Sequence, residues 1–237
     1  MKRIPLFIIL LLVSGCGTET YRERLERTSR YYAFLDVREK NLSEKRWSSR
    51  GVSLHVPKQF KLIWEANDSR NSSGATKLPR RLRSLPGVAA IWRADVAVEG
   101  EIDKFPVFLV AMSNRHSKHQ SEHTPAKAHL FQNSVVQQFY HMQNKPAPRN
   151  SDWRRKSFPE SSQFSIPLEF AVFESDSDFQ FPRFSVDYQL RLYSHTNAQG
   201  HVSLLVISPS AMSDKEKLTD AERIGWMLET VRVSPSD

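Results

Sequence analysis

The chain has 237 residues, 39% of them hydrophobic, with 14 phenylalanines, a single cysteine, eight glycines and a formal charge of +8. This composition excludes an intrinsically disordered chain and a disulfide-stapled one, and it suits one moderate domain plus an appendage. The eight glycines are not clustered, so there is no Gly-rich loop to cradle phosphate.

The first element has the three parts of an export signal in order. Met1-Lys2-Arg3 is the positive start, Ile4 to Val13 the apolar stretch, and Ser14-Gly15 the small residues before the only thiol, Cys16. A membrane span needs about 20 apolar residues; this run is shorter and contains Pro5. Ordinary secretion, a spanning anchor and a buried N-terminal helix are the alternatives. The segment Val13-Ser14-Gly15-Cys16 resembles the bacterial lipobox. The resemblance implies a signal peptide over residues 1–15, a lipidated N-terminus at 16–18, and acyl chains such as palmitate on Cys16. The expected product is an exported membrane lipoprotein of the cell envelope, facing the periplasm. Gly17 stands where an inner-membrane retention signal has aspartate, which favours the outer membrane. One acyl chain holds a protein marginally and two or three hold it stably, at about 0.8 kcal/mol per buried methylene.

From Glu19 to Lys40 there is neither glycine nor proline, and Tyr21, Leu25, Thr28, Tyr32 and Leu35 recur at spacings of 4, 3, 4 and 3. That is a two-heptad stripe on one face of a helix. Residues 19–45 are therefore an expected amphipathic helix or stalk, with oligomerisation through residues 19–40 as a further role.

A single α+β domain is expected over 51–234. Val52, Leu54 and Val56 alternate with polar residues until Pro57, the pattern of a strand with a proline stop. Phe60 to Trp64 is the next expected strand. Residues 66–86 read as a long polar loop containing the basic cluster Arg80-Arg81-Arg83. Val88 to Val98 and Phe105 to Met112 form the next pair. Thr124-Pro125 reads as a helix cap, and Ala128, Phe131, Val135, Phe139 and Met142 trace one face of the helix that follows. Pro146 and Pro148 are expected to end it and open a second polar loop, 144–162. Three strands come next: Ile166 to Phe173, Phe184 to Tyr193 and His201 to Ser208. A helix follows, capped by the Thr219/Glu222 pair, and Val231-Arg232-Val233 closes the chain. Consecutive strands without helices between them favour an antiparallel sheet of about seven strands with two packed helices.

The stretch Gly51-Val52-Ser53-Leu54-His55-Val56-Pro57, the central sheet, and the terminal run Gly225-Trp226-Met227-Leu228-Glu229-Thr230-Val231-Arg232-Val233 together resemble the PsbP-like and DcrB-like folds over residues 51–234. The resemblance implies a binding or assembly module without enzymatic activity, and it carries no functional residue. The insertions at 66–86 and 144–162 depart from it.

Three groups of residues are candidates for chemistry or contact. His116, His119, His123 and His129 lie before and at the start of the central helix. Histidines at such spacing can converge on zinc or copper, but Arg115, Lys118 and Lys127 would repel a dication, and Glu122 is the one nearby carboxylate. An exposed polar connector is the competing reading. Glu174, Asp176 and Asp178 are spaced like calcium ligands but lack the glycine and the twelfth-position glutamate of such a loop, so a solvated hairpin tip is expected. Trp153 and Phe158 flank Arg154, Arg155 and Lys156. An aromatic among cations can contact a partner or a membrane interface, unless the loop folds back and buries it. Trp92 and Trp226 read as core, and Trp64 as a groove candidate. No serine stands between glycines as in a nucleophile elbow, so no enzyme and no cofactor is expected. The basic charge points to anionic lipid headgroups, an acidic envelope polymer or an envelope protein, while export argues against nucleic acid.

Overall fold

A computed structural model describes residues 16–66, 80–115, 127–146, 153–160, 164–175, 179–180 and 184–234. The chain divides into two units, residues 1–41 and 42–237.

In the first unit, helix α1 spans Cys16–Asn41. Nothing in its sequence interrupts the backbone ladder, and 26 residues is long enough to outrun the nucleation cost that makes shorter isolated helices marginal. Arg30 pairs with Glu26 at 3.6 Å and Lys40 with Asp36 at 2.7 Å, both at the i, i+4 spacing, each worth about 0.3–0.5 kcal/mol. The expected stripe is on the surface: Tyr21, Leu25 and Tyr32 are 66%, 57% and 64% exposed. No described helix is long and apolar enough to cross a membrane.

The second unit is α+β. Strands β1 (Trp47–Ser49) and β2 (Val52–Leu54) form a hairpin, and β11 (Arg232–Val233) pairs with β2 to make a three-stranded sheet. The hairpin loop is Arg50-Gly51, with φ of 50° and 70°. Two positive φ values are what a two-residue type I′ turn requires.

The main sheet has eight strands: β3 (Lys61–Glu65), β4 (Val88–Ala97), β5 (Lys104–Ser113), β6 (Trp153–Phe158), β7 (Leu168–Glu174), β8 (Phe179–Gln180), β9 (Asp187–Asn197) and β10 (Gly200–Pro209). Their order is β3-β4-β5-β10-β9-β7-β6, with β8 on β9, and every pairing is antiparallel. It is two meanders joined at the centre by the β5–β10 pair.

Both faces of this sheet are covered. On one, Ala90, Trp92, Leu109, Val172 and Leu204 pack against the small sheet and against Ile224, Met227 and Leu228 of helix α4 (Asp214–Glu229). On the other, Ile91, Val110, Phe173, Leu192 and Leu205 pack against Leu82 of the one-turn helix α2 (Arg80–Arg83) and against Phe131, Val135 and Phe139 of helix α3 (Ala128–Met142). Burial of each such side chain contributes about 1.5–3 kcal/mol. Double coverage explains why β5 is a continuous apolar run and why β10 is buried on both faces along most of its length, a pattern more usual in parallel sheets.

The α+β class and the mostly antiparallel sheet are as expected; among the described residues the main sheet has eight strands, beside a three-stranded one. Three finer expectations are corrected. The stretch 144–162 contains β6 and is not only loop. Helix α3 is closed by Asn144, in the left-handed conformation (φ 53°), and not by proline. The Asn144 amide donates to His141 O and the Lys145 amide to Tyr140 O, a Schellman closure. Helix α4 begins at Asp214, five residues before the expected cap. Ser213 is its N-cap, and its hydroxyl accepts from the Glu216 amide at 3.4 Å. The spacing Ser213/Glu216 is itself that of a capping box. The Thr124-Pro125 cap lies outside the described residues.

Candidate functional site

Strand β6 is the outermost strand of the main sheet on the β7 side. Its register with β7 is unbroken over six pairs, from Trp153↔Phe173 to Phe158↔Leu168. Alternation along a strand sends successive side chains to opposite faces. Trp153 therefore packs with the α3-side cluster, its ring 5.6 Å from that of Phe173. Phe158 packs with the α4-side cluster, with Phe170 and Tyr193 each at 5.8 Å. The two expected contact aromatics are thus half-buried anchors, one on each face.

The cations between them face solvent. Arg154 and Arg155 are exposed and Lys156 is half-buried. Arg155 pairs with Glu169 at 3.3 Å and Lys156 with Glu174 at 3.6 Å, both across the β6–β7 ladder. Arg154 makes no ion pair among the described residues. The structure thus brings together Trp153, Arg154, Arg155, Lys156 and Phe158 on one strand, where the sequence suggested a loop.

Cys16 is the first residue of α1. His116, His119 and His123 lie outside the described residues, and His129 is exposed near the start of α3. Among the described residues, no group of three His, Cys, Asp or Glu side chains could hold a metal ion. Glu174 ends β7 and pairs with Lys156, while Asp176 and Asp178 are outside the described residues. Trp92 is buried, and Trp64 and Trp226 are half-buried against the two core clusters.

A buried polar corner at the end of β5 escapes sequence reasoning. Ser113, Asn114, Arg115, Ser194, His201 and Ser203 are all buried there. His201 Nδ1 and Thr196 Oγ1 are hydrogen-bonded at 2.5 Å, His201 Nε2 and Ser203 Oγ at 3.1 Å, and Ser203 Oγ and Ser194 Oγ at 2.8 Å. Phe131 stacks edge-on to the His201 ring at 5.2 Å. Burial, helped by the nearby His195 charge, pushes His201 down to about 3, so the ring is neutral near pH 7.

Arg115 is 7% exposed. It donates to Gln199 O, and its side chain runs between two turns. A Cβ at Gly51 would lie 2.7 Å from Arg115 Cδ, and one at Gly200 would lie 2.9 Å from Arg115 Nε. Arg50 donates to Val88 O at 2.9 Å, and Ser113 Oγ donates to Arg50 O at 3.2 Å. Burial lowers the Arg50 pKa. These groups tie the small sheet's hairpin to the end of the large sheet. On the opposite cluster, Asp220 of α4 is buried, and that burial pushes its carboxyl up to about 6. Arg191 and Arg223 oppose the shift and Glu216 adds to it.

No family model matches this chain, and no curated protein matches it. Among solved structures, it is similar to a chain from Bacteroides thetaiotaomicron VPI-5482 at 9% identity and a TM-score of 0.38, over 81% of this chain and 49% of that one. It therefore spans about half the length of that chain. It is also similar to a point mutant of the protein Mog1 at 9% identity and a TM-score of 0.38, over 83% of this chain and 97% of that one. At that level neither likeness bears on function.

Proposed function

We propose that this chain is a lipid-anchored protein of the cell envelope whose α+β domain binds a partner and performs no chemistry of its own. The partner is an envelope protein or an anionic envelope polymer, and β6 is the contact strand. The observation that carries the contact is three consecutive cations, Arg154, Arg155 and Lys156, on the outermost strand of the sheet, two of them exposed. Exposed ion pairs contribute little to stability, so these charges are available for complementarity with an acidic surface, which sets association rate and specificity. The anchor rests on the leader and Cys16. Acyl labelling should mark the wild-type chain and not Cys16→Ala; equal labelling would end the anchored reading. For the contact, the chain purified from native membranes should bring down one envelope component, and the doubly reversed Arg154→Glu, Arg155→Glu variant should lose it. Undiminished recovery would rule out β6.

A second reading is favoured by the exposed stripe Tyr21, Leu25 and Tyr32 on α1, which suits oligomerisation through residues 19–40. A molar mass by light scattering that falls to the monomer on deleting 19–40 supports it, and an unchanged mass contradicts it.

A further inference from the structure

We infer that β6 accepts an acidic segment in extended conformation, which adds to the main sheet as a further antiparallel or parallel strand. This rests on the reading of β6 as the contact strand and specifies how that contact is made.

The first argument is geometric. Arg154 and Arg155 are consecutive on a strand and so project to opposite faces of the sheet. A partner lying over one face would meet one of them. A segment lying in the plane of the sheet, along the β6 edge, meets both. Six residues in strand conformation give about 20 Å of edge, a length suited to a segment of about the same size. The outward-facing amides and carbonyls of an edge strand supply the affinity, and side chains on alternating faces supply selectivity.

The second argument compares the two ends of the main sheet. The other edge strand, β3, slips register between Leu62 and Trp64 in its pairing with β4, and a bulge of this kind twists an edge and discourages further pairing. The β6–β7 register has no slip. Of the two edges, β6 is the regular template. Among the described residues that edge carries exposed positive charge, and charge excludes only partners of the same sign.

The third argument fixes that sign. On its inner side, β6 already meets acidic residues diagonally across the ladder, Glu169 on the Arg155 face and Glu174 on the Lys156 face. An acidic strand on the outer side would set carboxylates beside Arg154 and Arg155, since directly opposed side chains sit about 4.5–5.5 Å apart. A second copy of this chain is disfavoured as the occupant. Pairing β6 with itself would set Arg154, Arg155 and Lys156 against the same three cations, and like charges directly opposite destabilise a ladder.

The test uses the full-length chain in detergent micelles and the fluorescent peptide Val-Glu-Glu-Val-Thr-Val, followed by anisotropy. Two comparison peptides carry N-methyl groups at alternate amides, one for each set of outward hydrogen bonds; they keep the charge and lose one set of donors. A third replaces both glutamates with lysine. The parent peptide should bind, and the lysine peptide should bind at least tenfold more weakly. One of the two methylated peptides should also lose at least tenfold while the other holds. The variant Arg154→Gln, Arg155→Gln, whose fold is checked by circular dichroism, should lose at least tenfold for the parent peptide. If both methylated peptides bind like the parent, strand addition is wrong while β6 as a charged contact survives. If the parent peptide does not bind the wild-type chain, strand addition is wrong. If the glutamine variant binds the parent peptide as well as wild type does, both strand addition and β6 as the contact fall together.

Discussion

Arginine occurs in two settings in this domain, and the contrast separates what holds the fold from what can serve a partner. At the buried corner, Arg115 runs between Gly51 and Gly200 and ends on Gln199 O. On the β6 edge, Arg155 stands 83% exposed beside a glutamate that is itself 62% exposed. Removing a buried polar group leaves its partners desolvated and unpaired, at about 1–3 kcal/mol per group. Removing an exposed ion pair costs about 0–1 kcal/mol. The corner is thus committed to structure. The edge carries charge that the fold does not need, which makes it the place where charge can be spent on recognition.

The largest expected effect is at the corner. Gly87 has φ of 63°, and a Cβ there would lie 2.0 Å from Ser113 O. Gly87→Val combines a left-handed backbone, strained for a β-branched residue, with a backbone clash, and should cost about 4 kcal/mol or more, or prevent folding. Urea unfolding checks it, and a loss below about 1 kcal/mol would mean the corner yields easily.

The next effect is in pH. His201 is held at about 3 against an ordinary 6.5. Its folded-state pKa is lowered, so the unfolded chain binds the proton first. Its contribution is whole above pH 6.5 and is lost as pH falls through that range toward 3, on the order of a few kcal/mol. Asp220 has the opposite sign. Its folded pKa is raised to about 6 from 3.8, so its contribution is whole below 3.8 and is lost as pH rises through 6. His201→Gln should therefore flatten the acid limb of stability between pH 6.5 and 3, and Asp220→Asn should steepen it between 6 and 4. Unfolding free energies measured across that range distinguish the two; identical profiles in wild type and His201→Gln would deny that the ring is buried neutral.

The smallest effect is on the edge. Arg155→Ala with Lys156→Ala removes both cross-strand pairs and should change unfolding free energy by no more than about 1 kcal/mol. A larger loss by thermal or chemical unfolding would make the edge part of the framework and erase the contrast.

Which of these regions was legible depended on an assumption about faces. The runs Val88 to Val98, Phe105 to Met112 and His201 to Ser208 were readable as strands, and Phe131, Val135 and Phe139 as the inner face of a helix, because apolar periodicity survives in them. The polar corner was not legible. Val202, Leu204 and Val206 looked like one buried face, which leaves His201 and Ser203 to solvent; in the folded chain α3 covers that second face and both are buried. Burial on both sides cannot be inferred from alternation alone. Strand β6 was missed for the converse reason. Arg154-Arg155-Lys156 has no apolar alternation, and nearby prolines signal a loop, yet Trp153 and Phe158 fix the strand by one anchor on each face. The cations are visible in the sequence, and their placement on an edge is not. The start of α4 was misplaced because two Ser/Thr-x-x-Glu spacings, Ser213/Glu216 and Thr219/Glu222, compete, and the earlier one makes the cap.

The most direct test of the division between framework and contact is to measure both quantities on one preparation of the Arg154→Glu, Arg155→Glu variant. Unfolding free energy should stay within about 1 kcal/mol of wild type, while binding of the acidic peptide falls at least tenfold. Retained binding, or a loss of stability that tracks the loss of binding, would contradict it.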